Sequence, residues 1–363
     1  MMNIIKSFFI SLLWIFLYNE VKRSSSFYRF KTSINGINNL LNIPKKNIDD
    51  CIIAYEYMVN GTAEISNGTS KGTTKVETNH VKNYYSVVNE ILAVADIEKM
   101  YIPPQIDPKF GLFNNQLILE KNLFNTLQVD SNSKILDIGC GRGRIAHHAA
   151  KTTGSKVYGF NIDESQIKNA IEYSKQTNME KYLDFKVGDH HDKFMYPNNS
   201  FNASYSFQAV WPFFKKKELD SVSKEIFRVL VPGGIYSCSE YLLTPYFDKI
   251  NKNHMKLHSL FLPTLAATQS NYPKDVIKSL KKAGFNIILS APSIAPAWPL
   301  TNQKTDFFLL LRSISIGLNK LSLIPDSIII LIDNLLKGGK AWSVAEKMKI
   351  ADLNWRIIVQ KPY

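Results

Sequence analysis

The sequence predicts an α/β fold: a doubly wound, Rossmann-like sheet with a helical N-terminal extension and an α+β C-terminal domain. Three observations carry that expectation. Ile135, Leu136, Asp137 and Ile138 form a short apolar run that gives way to Gly139, Gly141 and Gly143, then to the helix-compatible Ile145, Ala146, Ala149 and Ala150. Strand-like runs follow at residues 156–161, 184–189 and 201–207, and the first two end in polar residues, Asn161 and Asp189. Pro232, Gly233 and Gly234 then read as a turn leading into a fifth strand. Strands alternating with helical stretches are the pattern of a mostly parallel sheet covered by helices.

The first unit reads as strand, tight turn and helix. Glycine tolerates positive φ and lets a ligand lie directly on the backbone. The helix start adds unpaired N–H groups. Asp137, Gly139, Gly141 and Gly143 are therefore candidates for a nucleotide-type cofactor loop. Asn161 ends the second strand, where doubly wound sheets hold ribose hydroxyls, with Asp163 as a nearby acidic substitute. Asp189 ends the third strand and is placed to accept from an adenine amino group. The glycine spacing is G-x-G-x-G. A dinucleotide fingerprint needs G-x-G-x-x-G, so hydride transfer is disfavoured.

Composition narrows the partners. The 363 residues suffice for one large or two modest domains. Net charge is +13, but the lysines are spread along the chain, with only small clusters such as Lys215, Lys216 and Lys217. No basic tail interleaves with aromatics, so no nucleic-acid partner is expected. A solvated surface or attraction to anionic membrane accounts for the charge. Cys51, Cys140 and Cys238 make neither a disulfide framework nor a zinc spacing, so no metal is expected. His254 and His258 lie four apart and would share a helix face as surface histidines.

Residues 1–23 read as an N-terminal membrane anchor. The uncharged apolar stretch 7–18 is shorter than the ~20 residues of an ordinary span. Lys22, Arg23, Arg29 and Lys31 follow it and would keep the body of the protein cytosolic. A cleaved signal peptide is the competing reading. Residues 24–82 read as a variable helical segment and linker, with 60–79 a loop rich in Gly, Thr, Ser and Asn. Residues 83–127 read as a helical cap, 128–243 as the cofactor-binding core and 244–363 as a C-terminal domain. That last block holds a helix ending at Gly284, an apolar strand at 285–289, a Pro-rich loop at 291–299 and a closing strand at 355–362.

The ordered strand and loop landmarks resemble the class I S-adenosylmethionine-dependent methyltransferases. From Tyr84 onward the chain is similar to the sterol 24-C-methyltransferase family. Tyr84 and Tyr85 resemble its opening tyrosine segment, and 134–143 its first cofactor motif. Asn161, Gln166 and Ile167 resemble the turn after its second strand. Glu225, Ile226, Arg228, Val229, Leu230, Pro232, Gly233 and Gly234 match its E-I-x-R-V-L-x-P-G-G. The stretches 281–285, 321–325, 337–339 and 360–362 resemble its closing domain. Two acceptor-side pieces differ. The family's tyrosine, glutamate, tyrosine, glycine, tryptophan run is replaced at 92–98, and its glutamate-containing segment after the fourth strand is Phe207, Gln208, Ala209, Val210 and Trp211. Arg142 and Arg144 stand where the family mostly has small or apolar residues.

The resemblance implies S-adenosylmethionine as cofactor and methyl transfer to an alkene carbon of a sterol or related isoprenoid lipid, then deprotonation. Aromatic faces stabilise the resulting cation. Trp211 and Tyr241 are the first candidates, with Tyr84, Tyr85 and Trp298 behind them. Glu240, between Ser239 and Tyr241, is the candidate base, with Asp96 and Glu98 as runners-up. The resemblance also implies an endoplasmic reticulum membrane location with the catalytic domain facing the cytosol, and is compatible with a homo-oligomer. The alternatives are a methyltransferase for another lipid acceptor, such as a prenylquinone or a phospholipid base, and a catalytically silent lipid- or S-adenosylmethionine-binding protein.

Overall fold

The computed structural model describes residues 38–39, 41–66, 74–94, 97–298, 305–322 and 324–363. The expected anchor at 1–23 and the runner-up Asp96 lie outside the described residues. Among these, no helix is long and apolar enough to cross a membrane.

Seven strands form one sheet. They are β1 (Lys134–Ile138), β2 (Lys156–Asn161), β3 (Leu183–Val187), β4 (Phe201–Phe207), β5 (Leu230–Leu243), β6 (Asn286–Ala291) and β7 (Ala351–Gln360). The order is β3-β2-β1-β4-β5-β7-β6. The first five are parallel; β7 runs antiparallel to β5, and β6 antiparallel to β7. Strand order reverses at β1, which pairs β2 on one side and β4 on the other. In such sheets the crevice for ligands opens at the carboxyl ends of the strands beside that reversal. Ile138 ends β1 there, so Gly139 begins the loop at the crevice.

Both faces of the sheet are buried, as parallel strands require. Ile135 packs under one set of helices and Leu136 under the other, since successive side chains point to opposite faces. The first set is α3 (Leu112–Thr126), α4 (Arg144–Thr153) and α5 (Glu164–Gln176). On the other face lie α6 (Leu219–Val229) and α8 (Pro273–Ala283), which contribute Val222, Ile226, Val276 and Leu280. Gly284 ends α8 in a left-handed conformation, φ 108°, as the sequence predicts.

Two organisational expectations change. The C-terminal block supplies β6 and β7 to the same sheet, so the 243/244 boundary does not divide two cores. The Gly233 turn, φ 79°, lies inside β5, at a register shift against β4. Second, 60–79 is not one long loop. Helix α1 (Lys45–Ser66) runs into it and α2 (Thr74–Val94) begins within it. Cys51, Ala54, Tyr55 and Met58 of α1 pack on Val81, Tyr84, Val88 and Ile91 of α2. Tertiary packing of one apolar face sustains helices that propensity alone does not. The same cluster receives Ile328, Leu331 and Ile332 of α10 (Asp326–Lys347). Helices α7 (Lys252–Phe261) and α9 (Thr305–Lys320) complete the C-terminal layer.

Candidate active site

Two cavities meet above the carboxyl ends of the strands. The first, about 1000 Å³, lies over the glycine loop and is lined by Gly139, Gly141, Asn161, Asp163, His190 and Ala209, among others. Gly139, Gly141 and Gly143 all have positive φ, at 78°, 53° and 72°. At Gly139 a Cβ would sit 2.6 Å from that of Ala209, and at Gly143 one would sit 2.7 Å from the Phe185 ring. Backbone conformation and close approach both demand glycine there. Gly143 caps α4 rather than lining the cavity.

Each carboxylate named from the sequence has a distinct setting. Asp163 caps α5, its Oδ1 accepting from the Ser165 and Gln166 backbone N–H groups. Its Oδ2 is buried with no hydrogen-bond partner, and the residue lines the cavity. Asn161 lines the same wall, its amide 3.4 Å from Gln166 Oε1. Asp189 accepts from the backbone N–H of His191 at 2.9 Å, pairs with His191 Nδ1 at 2.8 Å and receives the Thr78 hydroxyl at 3.2 Å. Burial works against its ionised form, but the His191 hydrogen bonds prevail and hold the carboxyl well below its usual range. Asp137 lies beneath the loop, accepting from the Tyr205 hydroxyl at 2.9 Å. Burial raises its pKa to about 7 against that hydrogen bond, with the nearby Glu120 carboxylate adding to the rise.

The second cavity, about 1150 Å³, is walled by Tyr84, Tyr85, Val88, Leu92, Ile97, Ile102, Tyr241, Leu265, Leu335 and Leu336, among others. Tyr85, Lys99, Met100, Tyr101 and Gln208 line both cavities and form their shared wall. Tyr85 and Tyr241 therefore stand where the sequence places candidate aromatics. The Tyr241 hydroxyl is 2.9 Å from Ser270 Oγ. The Tyr84 hydroxyl donates to the Thr264 carbonyl at 2.9 Å.

Other candidates are not at the cavities. Trp211 is fully buried in the sheet core, its indole N–H directed at Cys238 Sγ. Glu240 is also fully buried and lines neither cavity. Its carboxylate accepts from Ser206 Oγ at 2.5 Å and from the Ala209 and Val210 N–H groups at 3.2 and 3.3 Å. It thus braces the loop that packs against Gly139, and burial raises its pKa to about 7 against those hydrogen bonds. Because every donor it meets is structural, it is not placed to take a proton from an acceptor. Glu98 lines the first cavity but is held by Arg144, whose Nε and Nη2 lie 3.1 and 2.8 Å from its oxygens. His254 and His258 are not surface residues. His254 Nδ1 accepts from the Asp248 N–H at 3.1 Å, and His258 Nε2 is 2.7 Å from Ser270 Oγ. Burial lowers the His258 pKa to about 4. Asp189, His190 and His191 bring ligand-type atoms within 4.8 Å of one another, but both His191 nitrogens already have protein partners.

Sequence reasoning missed the residues that close the site from the N-terminal side. Glu77, Thr78, Val81 and Lys82 of α2 line the first cavity, although they fall in the stretch read as linker. Arg142 reaches Glu90 of the same helix at 2.8 Å. It also missed Glu120, which lies completely buried beside the shared wall. Lys99 Nζ is 2.7 Å from both its oxygens, and Tyr101 and His148 also reach it. The available signal was position: Gln116, Leu119, Glu120 and Leu123 share one buried face of α3.

Comparison with known proteins bears on this geometry. A family model described as a methyltransferase domain matches residues 135–234. The sterol 24-C-methyltransferase of Aspergillus fumigatus is 33% identical over 171 residues, 47% of this chain and 44% of that protein. Squalene methyltransferase 1 of Botryococcus braunii is 25% identical over 240 residues, 62% of this chain and 62% of that protein. The matches therefore span less than two thirds of these relatives' own lengths. The cyclopropane synthase MmaA2 from Mycobacterium tuberculosis shares the fold, with a TM-score of 0.57 at 14% identity over 73% of this chain and 90% of that one. The chain thus carries a methyltransferase domain at residues 135–234, and it is similar in sequence to sterol 24-C-methyltransferases.

Proposed function

We propose that the chain is an S-adenosylmethionine-dependent C-methyltransferase acting on a sterol or related isoprenoid lipid. The observation that carries this reading is the pair of cavities, one over a glycine loop and one walled by apolar residues, joined at Tyr85, Lys99, Met100, Tyr101 and Gln208. Relatives named for sterol and squalene methylation support the choice of acceptor.

The residues of the first cavity fit the cofactor. Gly139 and Gly141 leave a cradle of bare backbone, and Asp163 Oδ2 is a buried acceptor awaiting a hydroxyl or ammonium donor. Gly139, Gly141, Asn161 and Asp163 would hold the cofactor, with His190 lining the same cavity; Asp189 does not line it and instead holds His191, which does. When bound, S-adenosylmethionine supplies an electrophilic sulfonium methyl. The shared wall would align the acceptor alkene with that methyl, and the apolar walls would exclude water. Tyr85 and Tyr241 would turn their rings to the cation that alkylation creates. Glu240 would act at a distance, fixing the Ala209 and Val210 loop against Gly139. Trp211 would support that loop from behind.

The apolar stretch at 7–18, followed by basic residues, would attach the protein to the endoplasmic reticulum membrane with the catalytic domain in the cytosol. Tritium transfer from labelled S-adenosylmethionine into a lipid extract tests the activity. Label in a sterol or hydrocarbon fraction is expected. Label confined to prenylquinone or phospholipid would replace the acceptor, and no label with intact donor binding would leave a silent binder.

A further inference from the structure

Alkylating an alkene leaves a cation that must lose a proton, and the residues expected to take it are elsewhere. Glu240 braces a loop and Glu98 is clasped by Arg144. The shared wall, however, contains a hydrogen-bonded chain. Tyr101 lines both cavities and donates its hydroxyl to Glu120 Oε1 at 2.5 Å. The other oxygen, Oε2, is 2.6 Å from His148 Nδ1. Glu120 is fully buried, whereas the His148 side chain is 21% exposed. We propose that Tyr101, Glu120 and His148 are a proton exit from the acceptor site to solvent, a proposal that rests on the methyltransferase reading above.

The chemistry balances without a further reagent. The alkene π electrons form the new carbon–carbon bond to the methyl group as the carbon–sulfur bond breaks, which leaves positive charge on the acceptor. A neighbouring C–H bond then gives its electrons to a new double bond. Its proton goes to the Tyr101 oxygen while the Tyr101 proton passes to Glu120 Oε1. The carboxyl so formed turns to present that proton to His148 Nδ1, and His148 gives its Nε2 proton to water, which restores the carboxylate beside Lys99. Burial pushes the Tyr101 hydroxyl well above its usual pKa, with Glu120 adding to the rise. The residue therefore rests as a neutral donor and takes a proton only as it gives one up. Lys99, 2.7 Å from both Glu120 oxygens, offsets the buried negative charge.

A second chain in the acceptor cavity makes the distinction plain. The Tyr241 hydroxyl meets Ser270 Oγ at 2.9 Å, and Ser270 meets His258 Nε2 at 2.7 Å. That chain stops at His258, which is 1% exposed and whose Nδ1 has no hydrogen-bond partner. It has no route by which to pass a proton on.

The test uses the full chain, tritiated S-adenosylmethionine, and squalene or a side-chain-unsaturated sterol in detergent micelles. Donor binding is followed separately by calorimetry with S-adenosylhomocysteine. Tyr101→Phe should bind the donor normally, keep its KM for the acceptor and form methylated alkene about 100-fold more slowly. The label should appear instead in the alcohol that water makes from the unquenched cation. His148→Ala should slow alkene formation, and imidazole added to the buffer should restore it. If Tyr101→Phe fails to fold, the His148→Ala rescue decides alone. Wild-type alkene formation by Tyr101→Phe, or a His148→Ala variant that is unimpaired or insensitive to imidazole, overturns the relay. Donor binding without any methyl transfer by the wild-type chain overturns the methyltransferase reading and the relay together.

Discussion

The cavity over the glycine loop takes most of its wall from one stretch of chain, the loops after β1, β2, β3 and β4. The apolar cavity gathers Tyr84, Ile102, Tyr241, Leu265 and Leu336 from widely separated helices and strands. The first depends on local backbone geometry, the second on how distant elements pack. A substitution should therefore act on donor binding when it alters a turn, and on acceptor binding when it alters a helix face.

The largest effect is expected at Gly139. Gly139→Val adds a branched side chain at φ 78°, against Ala209. Calorimetry with S-adenosylhomocysteine should detect no heat, while circular dichroism stays native. Normal donor affinity would break the assignment of the loop.

Glu240 bears on the first cavity through the loop it braces. Its folded pKa, about 7, lies above the ordinary value, so its contribution is fully present below about pH 4.5 and is lost as pH rises through about 7. On that ground the fold should lose about 3 kcal/mol between pH 4 and pH 8 from this group alone. Glu240→Gln should remove that part of the pH dependence in urea denaturation. An unchanged slope would mean that burial does not hold this carboxyl above its ordinary pKa.

Neighbouring glycines on α10 sharpen the contrast from the acceptor side. A Cβ at Gly339 meets nothing within 4 Å, and the residue lines the apolar cavity. Gly339→Phe should raise the acceptor KM about tenfold or more by filling that space. Donor affinity and melting temperature should hold, since replacing a helical glycine is itself favourable by up to about 1 kcal/mol. At Gly338 a Cβ would lie 2.0 Å from Thr264 Cγ2. Gly338→Ala should therefore lower the melting temperature, and the contrast with Gly339→Phe identifies which face of α10 looks into the cavity.

The smallest effect is expected at Asp163. Asn keeps the helix cap, since Asp and Asn cap about equally. Asp163→Asn should leave the melting temperature in place and weaken the donor by a factor of about ten, the value of one hydrogen bond to a charged group. Equal loss of stability and affinity would mean that only the cap matters.

Legibility followed the same division. Gly139, Gly141, Asn161 and Asp163, the cofactor candidates of the sequence, line one cavity because the strand, turn and helix that hold them are adjacent in sequence. Trp211 follows β4 and Glu240 lies within β5, but the fold turns both away from the cavities. His254 and His258 were read as exposed from their spacing, which reports a shared helix face but not what covers it. Residues 60–79 have loop-like composition, yet α1 and α2 extend into them because their apolar faces pack together.

The sequence by itself determined the parallel sheet, the glycine bend and the residues that surround it. Those features depend on φ preferences and on periodicities two and 3.6, which operate over a few residues. Only the tertiary structure decided that Tyr101, Glu120 and His148 form a continuous chain, and that Tyr85 and Tyr241 face the same cavity. A hydrogen bond between α3 and α4, or a wall shared by α2 and β5, depends on the packing of elements far apart in the chain, and no local pattern encodes it.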